Sequence, residues 1–194
     1  GSLNKVCYFG NSGEKLLGAK PYRNGFLTLS NSGDNSYLYE IDIVNNTYKS
    51  MQINCYVDKL YDLLYVNDDI CAIVKSDSQL KFIWINNSFE VIKTLSMPCE
   101  NESVQVNALS VANNVFLSVS NDNLSNYLID TNKIEQLDTV ANAKLQSIYP
   151  IDSEVMVMYS NKNALKVLKY NLTENTKTTM GLSGEYDSGR IFSC

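Results

Sequence analysis

The segment Tyr37-Leu38-Tyr39-Glu40-Ile41-Asp42-Ile43-Val44-Asn45 decides the fold, because three further segments of the 194-residue chain repeat its form. They are Leu80-Lys81-Phe82-Ile83-Trp84-Ile85-Asn86-Asn87, Asn126-Tyr127-Leu128-Ile129-Asp130-Thr131-Asn132, and Leu165-Lys166-Val167-Leu168-Lys169-Tyr170-Asn171-Leu172-Thr173. Each is a run rich in β-branched and aromatic residues, closed by Asp or Asn and followed by turn formers. The closing residues Asp42, Asn86, Asp130 and Asn171 lie 44, 44 and 41 residues apart, and each follows a bulky side chain: Ile41, Ile85, Ile129 and Tyr170. A period of this size marks a repeated supersecondary unit.

The flanks repeat with the anchors. Before each anchor runs an apolar stretch that ends in small polar turn formers: Phe26 to Gly33, Ile70 to Ser78, Val115 to Asn123 and Val155 to Asn163. Ser, Asn, Asp and Gly bond their own backbone or tolerate a left-handed conformation, so they close tight hairpins. Weaker amphipathic runs follow three anchors, at Tyr48 to Ile53, Phe89 to Leu95 and Lys133 to Leu137, and Thr176 to Met180 is the poorest fourth. One more run opens the later units, at Lys59 to Val66, Val106 to Ala112 and Lys144 to Ile151. No stretch sustains apolar spacing at i, i+3, i+4, i+7 with caps, so the reading predicts essentially no helix.

Four short antiparallel strands in a unit of about 40–45 residues make the blade of a β-propeller. The expected fold is therefore all-β, with about four four-stranded antiparallel blades near residues 16–55, 59–98, 104–140 and 143–181. The second run of each unit is expected to be buried on both faces, and the last to have one solvated face. The chain resembles the WD-repeat and related propellers, in which the third strand ends in a bulky residue followed by Asp. Ile41-Asp42 and Ile129-Asp130 fit that pattern, whereas Ile85-Asn86 and Tyr170-Asn171 depart from it. The Gly-His pair of that family is absent, because the chain holds no His, so the family's Asp–His network has no counterpart. The resemblance lies in architecture.

Two further strands are expected outside the four units, at residues 5–9 and 189–194. Four blades and two odd strands do not close a ring comfortably, and exposed sheet edges are avoided. Residues 1–194 are thus expected to form one propeller domain or a piece of a larger propeller, completed by a partner or a second copy. Gly1-Ser2 reads as the remnant of a cloning junction.

Composition narrows function. The formal net charge is −5, and the 16 Lys and Arg residues form no stripe. A phosphate backbone or an anionic membrane surface would find little to hold, so neither nucleic acid nor membrane is an expected partner. Without His, Ser–His–Asp and Cys–His nucleophiles cannot be built. The five cysteines, Cys7, Cys55, Cys71, Cys99 and Cys194, show no metal-ligand spacing and are expected to be reduced thiols of an intracellular protein. Sequons at Asn45, Asn86, Asn101, Asn123 and Asn171 are what chance supplies in so Asn-rich a chain. Asp68-Asp69 reads as a turn, and neither Ser32-Gly33-Asp34-Asn35 nor Ser120-Asn121-Asp122-Asn123 has calcium-loop spacing. No catalytic residue, cofactor or metal is expected.

The 13 tyrosines carry more information. Tyr22, Tyr61, Tyr65 and Tyr149 fall in or beside the first strands, and tyrosine offers apolar contact area with a polar tip. They are the candidate partner-binding residues; Asp42, Asn86, Asp130 and Asn171 are the structural anchors. The reading that follows is a non-catalytic scaffold that binds protein partners in the cytoplasm or nucleus. The alternative is a secreted propeller enzyme or carbohydrate-binding module.

Overall fold

The computed structural model describes residues 10, 13–162 and 164–185. The strands expected at 5–9 and 189–194, with Cys7 and Cys194, lie outside the described residues. Sixteen strands form four antiparallel four-stranded sheets, each in simple chain order, and the described residues include no helix. The first sheet is β1 (Lys15–Tyr22), β2 (Gly25–Ser32), β3 (Asn35–Asp42) and β4 (Thr47–Ile53). The second is β5 (Lys59–Val66), β6 (Asp69–Ser76), β7 (Gln79–Ile85) and β8 (Val91–Pro98). The third is β9 (Gln105–Val111), β10 (Asn114–Ser120), β11 (Asn123–Ile129) and β12 (Ile134–Ala141). The fourth is β13 (Ala143–Ile151), β14 (Glu154–Asn161), β15 (Ala164–Asn171) and β16 (Thr176–Glu185). These are four propeller-type blades, so the chain is all-β.

The blades group into two compact units. One holds the first two sheets up to Pro98, and the other holds the rest together with Leu64–Asn67 at the end of β5. In the first unit, Leu27, Leu29 and Leu38 of one blade pack in a common core with Ile70, Ala72, Val74, Ile83 and Ile85 of the next. In the second, Phe116 and Leu124 share a core with Val155, Val157, Tyr159, Leu168 and Tyr170. Alternation along each strand assigns these residues to one face. The second strand of a blade is apolar on both faces, most fully in β6, where Ile70 to Ser76 are all buried. Trp84 and Phe82, two apart on β7, are both buried.

The turns follow from local chemistry. Asn46, Asn67, Asn113, Asn142 and Asn175 all have positive φ, the region Asn tolerates best after Gly. Gly25 is required for a different reason. A Cβ there would lie 1.8 Å from the Ile41 carbonyl oxygen, so only a hydrogen fits between β2 and β3.

Polar staples join successive blades within each unit. In the first, the Asn31 amide donates to the Val57 carbonyl (2.8 Å), Ser36 Oγ donates to Asn31 Oδ1 (2.6 Å), and the Val57 N–H donates to Ser36 Oγ (2.9 Å). In the second, Ser120 Oγ donates to the Ala143 carbonyl (3.3 Å) and accepts from the Leu145 N–H (3.2 Å). A larger network centres on fully buried Asn126. Its amide donates to Tyr170 Oη (2.9 Å) and Asp138 Oδ1 (3.2 Å), and its Oδ1 accepts from Ser118 Oγ (2.6 Å). Tyr170 donates to Asp138 Oδ1 (2.9 Å), and Lys177 donates to Asp138 Oδ2 (2.7 Å). Burial alone would raise the Asp138 carboxyl; the hydrogen bonds from Lys177, Asn126 and Tyr170 outweigh it and hold the group below the usual range. Burial and the Asp138 charge push the Tyr170 phenol up.

Candidate interaction site

The four anchors are turn caps. Asp42 Oδ1 accepts from the N–H groups of Val44 and Asn45, both at 2.9 Å. Asp130 Oδ1 accepts from Asn132 (2.6 Å) and Lys133 (2.9 Å), and Asn171 Oδ1 from Thr173 (3.1 Å) and Glu174 (3.0 Å). Asn86 departs from the pattern: its Oδ1 accepts from the Glu90 N–H (3.0 Å), spanning a longer turn in which Phe89 has positive φ. A short acceptor at this position satisfies donors that the third-to-fourth strand turn leaves free. The same bonds, from the Asn45 backbone and side chain first, hold the Asp42 carboxyl below its ordinary value.

The candidate tyrosines fall in both units. Tyr22 ends β1, packs against the core of the first unit and carries the Arg23 guanidinium 4.9 Å from its ring centroid. Tyr61 lies on β5 under the Lys59 ammonium, 4.6 Å from its ring centroid. It lines a shallow pocket with Leu17 to Lys20, where Lys20 and Asp62 pair at 2.7 Å. Tyr65 is exposed near the end of β5, and Tyr149 is half-buried on β13 opposite Met156. Tyr22 and Tyr61 line separate pockets.

A denser surface surrounds Tyr22. A cavity of about 330 Å³ at the turn end of the first blade is lined by Tyr22, Arg23, Asn24, Glu40, Ile41, Asp42, Thr47, Tyr48 and Lys49. The Ile43 N–H donates to the Asn24 carbonyl (3.1 Å), which brings the two turns of this end together. Arg23 donates to Glu40 (3.3 Å) and to Asn87 Oδ1 (2.7 Å), tying the first blade to the β7–β8 turn. Lys49 lies 3.7 Å from the other oxygen of Glu40. Phe26, Ile41 and Tyr48 are register partners across β2, β3 and β4, so they share a face. Among the described residues, Phe26, Ile43, Val44 and Tyr48 are four of the ten exposed large apolar side chains, and that share in one blade end marks an apolar patch with a polar rim.

Sequence reasoning found Tyr22 here and missed Arg23, Phe26, Tyr48 and Lys49. A signal existed: Ile43-Val44 directly follows the Asp42 anchor, where Asn87-Ser88 and Thr131-Asn132 stand in the second and third repeats. Among the described residues no group of His, Cys, Asp and Glu has the geometry of a metal site, and Cys55, Cys71 and Cys99 are free thiols. No described helix is long and apolar enough to cross a membrane.

No protein-family model matches the chain, and no curated protein matches it. Solved structures do. A Lactobacillus plantarum protein superposes with a TM-score of 0.53 at 9% identity, over 87% of this chain and 55% of that one. A Bacteroides fragilis protein described as a candidate exported protein matches with 0.43 at 9% identity, over 89% and 60%. The β-propeller domain of Nup133 from Vanderwaltozyma polyspora matches with 0.45 at 8% identity, over 89% and 64%. The chain thus spans a little over half the length of the first of these and less than two thirds of the others. At 9% identity the likeness to the first of these is one of fold alone.

Proposed function

We propose that this chain is a non-catalytic scaffold that binds protein partners, an intracellular propeller component of a larger assembly. The observation that carries the reading is the surface at the end of the first blade: Tyr22, Arg23 and Tyr48 beside exposed Phe26, Ile43 and Val44. Tyrosine and arginine set in an apolar patch with a polar rim are the composition of interface anchors. The sheet beneath holds them in place, so little side-chain entropy remains to be lost on binding. The three described free thiols favour a reducing compartment. That the chain is a piece of a larger propeller, or is completed by a partner or second copy, belongs to the same proposal.

The test is affinity capture from cell extract with the wild-type chain and with an Arg23→Ala/Val44→Ser/Tyr48→Ala variant, followed by reconstitution with the purified captured protein. The expected result is one stoichiometric partner whose affinity for the variant falls at least roughly tenfold, the loss of one or two interface anchors. No stoichiometric partner, or one that binds the variant equally well, overturns the reading.

A further inference from the structure

Among the described residues each blade ends in an outermost strand, and three of the four are blunted in the same way. In β8 the ladder slips where Trp84 pairs with Lys93 but Ile85 pairs with Val91, leaving Ile92 as an extra residue, and the strand closes on Pro98. In β12 the slip between Asn126 and Tyr127 leaves Leu137 extra. In β16 the partners jump from Gly181 to Glu185. Bulges and prolines on outer strands twist or interrupt the free row of N–H and C=O groups and discourage pairing with another chain. Strand β4 has neither device. It pairs with β3 through seven consecutive residues, from Asp42–Thr47 to Ser36–Ile53, with no shift of register.

The side chains of β4 select what would pair there. The strand carries no carboxylate and one cation, Lys49, whose side chain is 62% exposed. Its nearest carboxylate, Glu40, is 3.7 Å away and is shared with Arg23. Tyr48 is 48% exposed and is steadied by the Tyr39 ring, 6.0 Å between centroids. The cavity lined by Arg23, Tyr48 and Lys49 opens beside the start of the strand. A second copy pairing through the same edge would bring no carboxylate to meet Lys49, because β4 carries none.

We propose that β4 receives an extended acidic segment of another protein as a fifth strand of the first blade. Backbone hydrogen bonds along β4 supply affinity; an Asp or Glu beside Lys49 and an apolar side chain beside Tyr48 supply specificity. This deepens the scaffold reading and rests on it.

The probe is a random nine-residue peptide library displayed on phage and selected on the full 194-residue chain. Selection is expected to enrich peptides pairing an acidic with an apolar residue one position apart. A synthetic copy of the best peptide should slow amide exchange in β4 and leave β8 and β12 unchanged. N-methylation of its alternate amides should weaken binding at least about tenfold in one phase of alternation and little in the other, since only one set of N–H groups faces β4. Lys49→Glu, at an exposed position, should weaken binding several-fold while the circular dichroism spectrum stays unchanged. Failure to enrich any peptide, equal effects of both methylation phases, protection outside β4, or a dimer closed through β4 in light scattering would each overturn the proposal. If affinity capture still returns a partner sensitive to Arg23, Val44 and Tyr48, the edge proposal alone has failed and the scaffold reading stands.

Discussion

Replacing Tyr170 by Phe removes one hydroxyl from the network that joins the third and fourth blades and leaves the ring in place. The ring contact with Phe116, 5.3 Å between centroids, is kept, so packing is nearly constant. The lost atom donates to Asp138 Oδ1 and accepts from the Asn126 amide, each at 2.9 Å. A hydrogen bond to a charged group is worth about 1.5–3 kcal/mol and one between neutral groups about 0.5–1.5 kcal/mol. Neither former partner is stranded: Asn126 and Asp138 keep each other at 3.2 Å, and Asp138 keeps Lys177. Burying a phenyl ring also avoids the desolvation of a hydroxyl, so the net cost should fall near the lower bounds, about 1.5–2.5 kcal/mol. In urea, with a slope of about 2 kcal/mol per M, the midpoint at pH 7 should drop by roughly 1 M. The acid limb gives a second reading. The Asp138 side chain is only 11% exposed and its carboxyl is held below the ordinary value. Its contribution is complete above about pH 4 and is lost as the pH falls through its folded value. The gap between wild type and Tyr170→Phe should therefore narrow in acid. A midpoint shift below about 0.25 M at neutral pH, within the range of a featureless surface substitution, would refute the claim that this network holds the blades together.

Four further outcomes are expected. Asn171→Ala should cost about 1 kcal/mol at neutral pH by urea titration, since its Oδ1 caps two backbone N–H groups. Asp42→Ala should lower the unfolding midpoint at pH 7 but lose its effect in acid, because the contribution of a depressed carboxyl is lost as the pH falls through its folded value. Gly25→Ala, with its Cβ driven to 1.8 Å from the Ile41 oxygen, should cost at least about 3 kcal/mol, whereas Gly33→Ala, which meets no atom within 4 Å, should cost only the strain of its positive φ, about 1 kcal/mol. Under native conditions a maleimide should label Cys55 and spare Cys71, which is fully buried with its thiol pushed up by burial; mass spectrometry of the digested adducts reads both.

The blades were legible because their cause is local. Recurrence of an Asp or Asn after a bulky residue needs no distant contact to be recognised, and the hydrogen bonds that Asp42, Asp130 and Asn171 accept from the N–H groups two and three residues on show why the spacing repeats. The candidate site was legible only in part. Tyr22 was found by residue type, but its neighbours Tyr48 and Lys49 lie 26 and 27 residues away and meet it only once β1 to β4 have paired. Polar residues inside the apolar runs depend on the tertiary structure in a similar way. Ser30, Asn31 and Ser118 look like solvated positions and are buried, because partners elsewhere in their unit satisfy them.

From the sequence alone follow the all-β class, the number of blades, the placing of the turns and the capping role of the anchors. All of these rest on interactions between residues no more than one hairpin apart, where period and propensity decide. Only the tertiary structure decides the rest. It joins Asn126 to Tyr170 across 44 residues, gathers Tyr22, Arg23, Tyr48 and Lys49 around one cavity, and leaves β4 as an unbroken edge while its three counterparts are bulged. Such features depend on which face a strand buries and on the register in which it pairs, and a slip of one residue, invisible in composition, reverses both.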